Sequence, residues 1–113
     1  MGWYLAALAR RDRFIGAWQT FFERYDALIL PPATSTAPPH EVTDLGDQGH
    51  MMVFANFAGL PALTVPAGHD ENGLPIGVQI VGPRWSESQL LDVARTLEEE
   101  RILPGFTAPR QLW

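Results

Sequence analysis

The chain has 113 residues and a formal net charge of −5, from 8 basic and 13 acidic side chains. That length suits one domain rather than two. The acidic excess argues against a nucleic-acid or anionic-membrane partner, since either needs a basic surface. Apolar residues make up 46% and there is no cysteine. A packed core is therefore feasible, while disulfides, thiol catalysis and cysteine-ligated zinc are excluded.

No apolar run approaches the ~20 residues of a membrane span. Trp3 to Ala9 is apolar, but Arg10 and Arg11 follow it, the reverse of a signal peptide. Met1-Gly2 opens like a myristoylation site, yet the sixth residue is Ala6, not Ser or Thr. A soluble, cytoplasmic chain is expected, with no nucleic-acid and no membrane partner.

Taken in order, residues 12 to 25 have helical periodicity. Phe14, Trp18, Phe21 and Tyr25 recur at steps of three and four, with Ile15 and Phe22 beside them. Asp12 is a candidate N-cap, and helix can extend into the Ala/Leu-rich segment before it. Asp26 to Leu30 is a short apolar run stopped by Pro31-Pro32 and reads as a buried strand. Pro31 to Gln48 has no periodicity and reads as a long loop, of the kind that is functional, a linker, or a mark of an incomplete chain. His50 to Ala58 is almost wholly apolar, with Gly59 and Pro61 as a stop signal, and predicts a short buried helix.

Two strands follow. Leu63 and Val65 alternate with Ala62 and Thr64, and Ile76, Val78 and Ile80 alternate with Gly77, Gln79 and Val81. Asn72-Gly73 between them favours a hairpin, and the second strand reads as buried on both faces. Ser86 to Gln89 has the form of a capping box. It opens a helix to about Arg101, with Leu90, Ala94 and Leu97 as its apolar stripe and Glu98, Glu99 and Glu100 as a solvated face. The tail from Pro104 to Trp113 is expected to be irregular.

Residues that could carry chemistry are few. Ser35, His40 and Asp44 supply the three types of a hydrolytic triad, but Ser35 stands on no strand-to-helix elbow. His40 to Asp44 resembles H-E-x-x-H with Asp in the last place. It follows Pro38-Pro39 and lacks periodicity, whereas a zinc site needs two ligands one helical turn apart. The simpler reading is an acidic loop, and no metal and no cofactor are expected. Asn56, in an apolar helix, reads first as a buried, hydrogen-bonded amide and second as a pocket-lining residue. Gln79 also reads as structural.

Longer spacing carries a resemblance. Asn56 to Gly68 (NFAGLPALTVPAG) resembles the C-terminal pattern N-x-x-G-x-P-A-x-x-x-P-x-G of the amidase-signature family. Gly73 to Gly82 (GLPIGVQIVG) is similar to the G-L-P-x-G-x-Q-x-x-G that follows there. Glu87, Leu90, Leu91 and Ala94 match its next helix, and Tyr25 to Pro31 resembles its Y-D-x-x-x-x-P strand. The likeness runs over roughly residues 14 to 100. It implies an α/β fold, a fragment of a mixed sheet flanked by helices. In chain order the parts are an N-terminal helix, a short strand, a long loop, a short buried helix, a β-hairpin and a C-terminal helix. Residues 1–113 are then a single partial domain, the C-terminal part of an amidase-signature domain.

The family hydrolyses amides through an acyl-enzyme with a serine nucleophile, a second serine on a cis peptide, and a neutral lysine base. All 8 basic residues here are arginine, and the three serines, Ser35, Ser86 and Ser88, lie in no Gly/Ser-rich run. No catalytic residue carries over, and the chain is expected to be inactive by itself. The resemblance implies a scaffold in which the helix before Gly59 walls the acyl pocket, with Gly49, Met52 and Asn56 along that wall. Members that use glutamine tend to have an acidic residue about two turns before the matched Asn, near the place of Gly49, which weakens a glutamine-amidotransferase reading; an apolar wall would suit an acyl or aryl amide. The expected partner is the N-terminal part of an amidase, or a second copy through self-association. Two rival readings stand beside this: an interaction module that docks on a triad-bearing partner as a split enzyme, and an independent small binding domain.

Overall fold

The structure, a computed structural model, describes residues 1–107. Six elements follow in order: α1 (Gly2–Phe22), β1 (Leu28–Leu30), α2 (His50–Ala58), β2 (Ala62–His69), β3 (Pro75–Val81) and α3 (Glu87–Glu99). The strands form one sheet in the order β1-β3-β2, with both pairings antiparallel. No described helix is long and apolar enough to cross a membrane.

The hairpin forms where its sequence places it. Asp70 N–H donates to Leu74 O (2.9 Å), Gly73 adopts φ +81°, and the Asp70 carboxylate accepts from the backbone N–H groups of Asn72 (2.9 Å) and Leu74 (2.8 Å). A side chain that bonds its own turn fixes the register of the flanking strands. Leu63 faces Ile80 and Thr64 faces Gln79 across the ladder, which then shifts between Pro66 and Gly68.

Alternation along β3 sorts the helices. Side chains two apart share a face. Gln79 donates to Met51 O on α2 (2.9 Å), while a Cβ on Gly82 would meet Leu90 on α3. The face of Gln79 and Val81 therefore looks to α2, and that of Ile80 looks to α3. The buried apolar core is small: Ala55, Ala58, Ile80, Val81 and Leu90. α1 lies outside α2. Trp18 stacks on Phe54 (4.7 Å between centroids) and Phe14 meets Phe57 edge-on (5.3 Å). Each such pair is worth about 1 kcal/mol beyond its area.

Several local expectations change. α1 begins at Gly2, so Asp12 sits in mid-helix rather than at a cap; the Ala, Leu and Arg content of its first half suits helix without any buried stripe. Ser86 is the N-cap of α3, but its hydroxyl donates backward to Pro83 O (2.6 Å), so the reciprocal capping box does not form. β1 is half-exposed, with Ile29 at 51%, because α3 covers β2 and β3 and leaves β1 open. β3 is buried only from Gln79 onward. Of the tail, residues 104–107 form neither helix nor strand, and the remainder lies outside the described residues.

The chain is extended. Its radius of gyration is 17.1 Å, against about 13 Å for a compact domain near this size. It exposes 8795 Å2, about 2,600 Å2 more than a compact monomer of its mass would. Residues 1–13 are all exposed, Trp3, Tyr4, Leu5 and Leu8 among them.

Candidate functional site

α2 carries Gly49, Met52 and Asn56, the residues that the resemblance alone points to as a pocket wall. Its apolar sequence winds into helix because nothing inside it breaks the ladder. It ends at Gly59, whose φ of +67° is a left-handed conformation that only glycine adopts freely. Gly49 is the N-cap and is half-buried; Met52 is 43% exposed, and Asn56 is exposed. Spaced three and four apart, they share one side of the helix. Ala55 and Ala58 are buried, while Phe54 and Phe57 meet α1. The side bearing Met52, Val53 and Asn56 is left to solvent, two of its three side chains apolar.

Asn56 is thus not the buried amide expected first. Gln79 is: it is 3% exposed and its amide donates to Met51 O. This bond ties the first turn of α2 to the sheet.

The other candidate residues are engaged elsewhere. Ser35 Oγ donates to Thr36 O (3.1 Å) and accepts from Gln48 Nε2. Asp44 accepts from Gly46 N–H (2.9 Å). Ser86 is buried and donates to Pro83 O. His40 lies exposed in the loop, and His50 stands 3.3 Å from Asp47 at the solvent-facing start of α2. Among the described residues no three His, Cys, Asp or Glu side chains gather closely enough to hold a metal ion.

The long loop between β1 and α2 is tied at two places. Gln48 reaches Ser35 across its base, and Thr36 Oγ1 donates to Asp70 Oδ2 (2.9 Å) at the hairpin tip. Leu74 N–H, then the Thr36 hydroxyl and the N–H groups of Asn72 and Gly73, hold the Asp70 carboxyl below its usual 3.8. A cleft of about 400 Å3 lies between Pro31–Ala37 and Pro75–Gly77. A second depression, about 270 Å3, lies past the C-terminus of α2, lined by Gly59, Leu60, Pro61, Arg84, Trp85 and Glu87.

Two residues of this region carry no sequence signal. Arg11 Nε donates to Phe57 O (3.2 Å) across 46 positions, and Arg84 Nη2 to Ala58 O (2.9 Å) across 26. Separations of that size leave no local pattern to read.

Comparison with known proteins agrees with this geometry. The family model described as Amidase matches residues 1–91. A fatty acid amide hydrolase of Medicago truncatula is 38% identical over 106 residues, covering 85% of this chain and 18% of that protein. A glutamyl-tRNA(Gln) amidotransferase subunit of Halothermothrix orenii is 41% identical over 100 residues, covering 85% and 21%. The chain spans about a fifth of the length of these curated relatives. Among solved structures, 6-aminohexanoate cyclic dimer hydrolase complexed with substrate superposes with a TM-score of 0.77 at 32% identity, covering 96% of this chain and 26% of that one. With the motifs, the helix–hairpin–helix geometry and these matches in agreement, the chain belongs to the amidase-signature family.

Proposed function

We propose that this chain is the C-terminal scaffold and acyl-pocket portion of an amidase. It takes part in amide C–N hydrolysis only together with a part that bears the serine–cis-serine–lysine triad. The observation that carries this reading is the joint one of composition and surface. There is no lysine in 113 residues, and the accessible area exceeds that of a compact monomer by about 2,600 Å2.

The role of each part follows. The hairpin and β1 continue the sheet of the triad-bearing part. α2 presents Met52 and Asn56, with Gly49 at its start, as the wall of the acyl pocket. Met52 and Val53 favour an acyl or aryl amide, in keeping with the names of the fatty acid amide hydrolase relatives.

The test is co-expression of this chain with the N-terminal part of an amidase-signature enzyme from the same locus, followed by co-purification. A stable stoichiometric complex is expected. A chain that stays monomeric at high concentration, unfolds sharply and has no affinity for such a part would sink the reading in favour of an independent binding domain.

A further inference from the structure

A helix of nine residues is too short to hold itself. The last four carbonyls of any helix also lack partners within it. In α2 these are the carbonyls of Ala55, Asn56, Phe57 and Ala58, and all four find a donor, the Gly59 N–H being shared between Ala55 O and Asn56 O. Leu60 N–H reaches Ala55 O (2.9 Å) and Gly59 N–H reaches Asn56 O (3.3 Å), the local pattern that a left-handed glycine allows. The other two are met by guanidinium groups: Arg11 Nε at Phe57 O (3.2 Å) and Arg84 Nη2 at Ala58 O (2.9 Å). One arginine comes from α1 and the other from the turn between β3 and α3.

A second observation points the same way. A Cβ built on Gly59 would stand 3.3 Å from Arg84 Nη2. The glycine therefore serves the turn and also leaves room for the guanidinium. Both cations sit at the negative end of the helix dipole, where positive charge is favourable. At the opposite end Gln79 holds Met51 O from the sheet (2.9 Å). Three elements thus grip one short helix by its carbonyls and leave the side of Met52 and Asn56 untouched.

We infer that Arg84, with Arg11, is a positioning residue: a two-arginine clamp on the C-terminus of α2 sets the stance of the helix that carries Met52 and Asn56. Neither arginine is assigned contact with reacting atoms. The bearing on substrate rests on the pocket-wall reading above; the clamp itself does not.

Native-state hydrogen exchange of the 113-residue chain, read residue by residue, tests it. In Arg84→Ala the amides of Phe57, Ala58, Gly59 and Leu60 are expected to exchange about tenfold faster, the loss of one charge-assisted bond. Those of Ile80, Val81 and Leu90 are expected to stay unchanged. Arg84→Lys, a gentler change, keeps a charge but loses the planar fork, and is expected to recover part of the protection. Equal acceleration in α2, β3 and α3, or no acceleration in α2 with either variant, overturns the clamp. In the complex with a triad-bearing part, Arg84→Lys is expected to shift KM several-fold with kcat little changed. A fall in kcat at constant KM would overturn the link to the pocket. Failure to obtain that complex counts against the proposed function and leaves the exchange result standing.

Discussion

Gly82 offers the sharpest test of how α3 seats on the sheet. Its φ is not positive, so the backbone itself tolerates any residue. Space is what it lacks: a Cβ there would overlap Ser86 Oγ and lie 2.8 Å from Leu90 Cδ2. Leu90 is 1% exposed and Ser86 is 7% exposed, so neither can swing into solvent. Gly82→Ala must push α3 outward or force Leu90 from its rotamer, which costs about 1–3 kcal/mol. Losing the Ser86–Pro83 bond adds about 1 kcal/mol. The assay is urea unfolding of the wild type, Gly82→Ala, Ser86→Ala and the double variant. Because Ser86→Ala removes the atom in deepest overlap, Gly82→Ala should cost at least about 0.5 kcal/mol less in that background. A Gly82→Ala change within about 0.5 kcal/mol of wild type, or strict additivity with Ser86→Ala, would refute this packing.

Two further outcomes concern the hairpin. Gly73 has φ +81° with nothing within 4 Å of a built Cβ, so Gly73→Val tests conformation alone. It should lower stability by about 1 kcal/mol or more, and an unchanged unfolding midpoint would mean that the turn needs no positive φ. Asp70 has a depressed carboxyl pKa, with Leu74 N–H as the first cause. Its contribution is therefore complete above the ordinary value of 3.8 and is lost as pH falls through the lower folded value. The stability gap between wild type and Asp70→Ala should be level from pH 8 to about 5 and shrink on the acid side of about 4. A gap that widens on acidification would contradict the assignment.

Much of the fold was legible where local signals agreed. His50–Ala58 is marked by its apolar run and its stop at Gly59, and the hairpin and α3 by periodicity and punctuation that agree; the structure places all three there, though α2 is buried only at Ala55 and Ala58 rather than throughout. Burial was less legible. β1 reads as a buried strand from Leu28, Ile29 and Leu30, yet Ile29 is half-exposed. Its apolar residues call for a neighbour, and whether one is present is not written in the segment. Asn56 follows the same logic: an amide among apolar residues suggests burial, but its side of α2 faces solvent. Where α1 begins is hard to read, and Asp12 offers itself as a false cap, because the first turns bury nothing and no stripe marks them. Arg11 and Arg84 are illegible for a different reason. Their acceptors are backbone carbonyls, which every residue has, so no pairing of side-chain types betrays the contact.

The measurement closest to the central claim is hydrolysis of a simple aryl amide. It would be followed for the purified 113-residue chain alone and for the same chain co-purified with the triad-bearing N-terminal part of an amidase-signature enzyme. Background turnover is expected from the chain alone and restored turnover from the complex. The chain contains no lysine to act as base, and the serine hydroxyls of Ser35 and Ser86 are bound to backbone carbonyls. Turnover by the chain alone that survives repurification and is lost in the Ser35→Ala, Ser86→Ala, Ser88→Ala triple variant would contradict it.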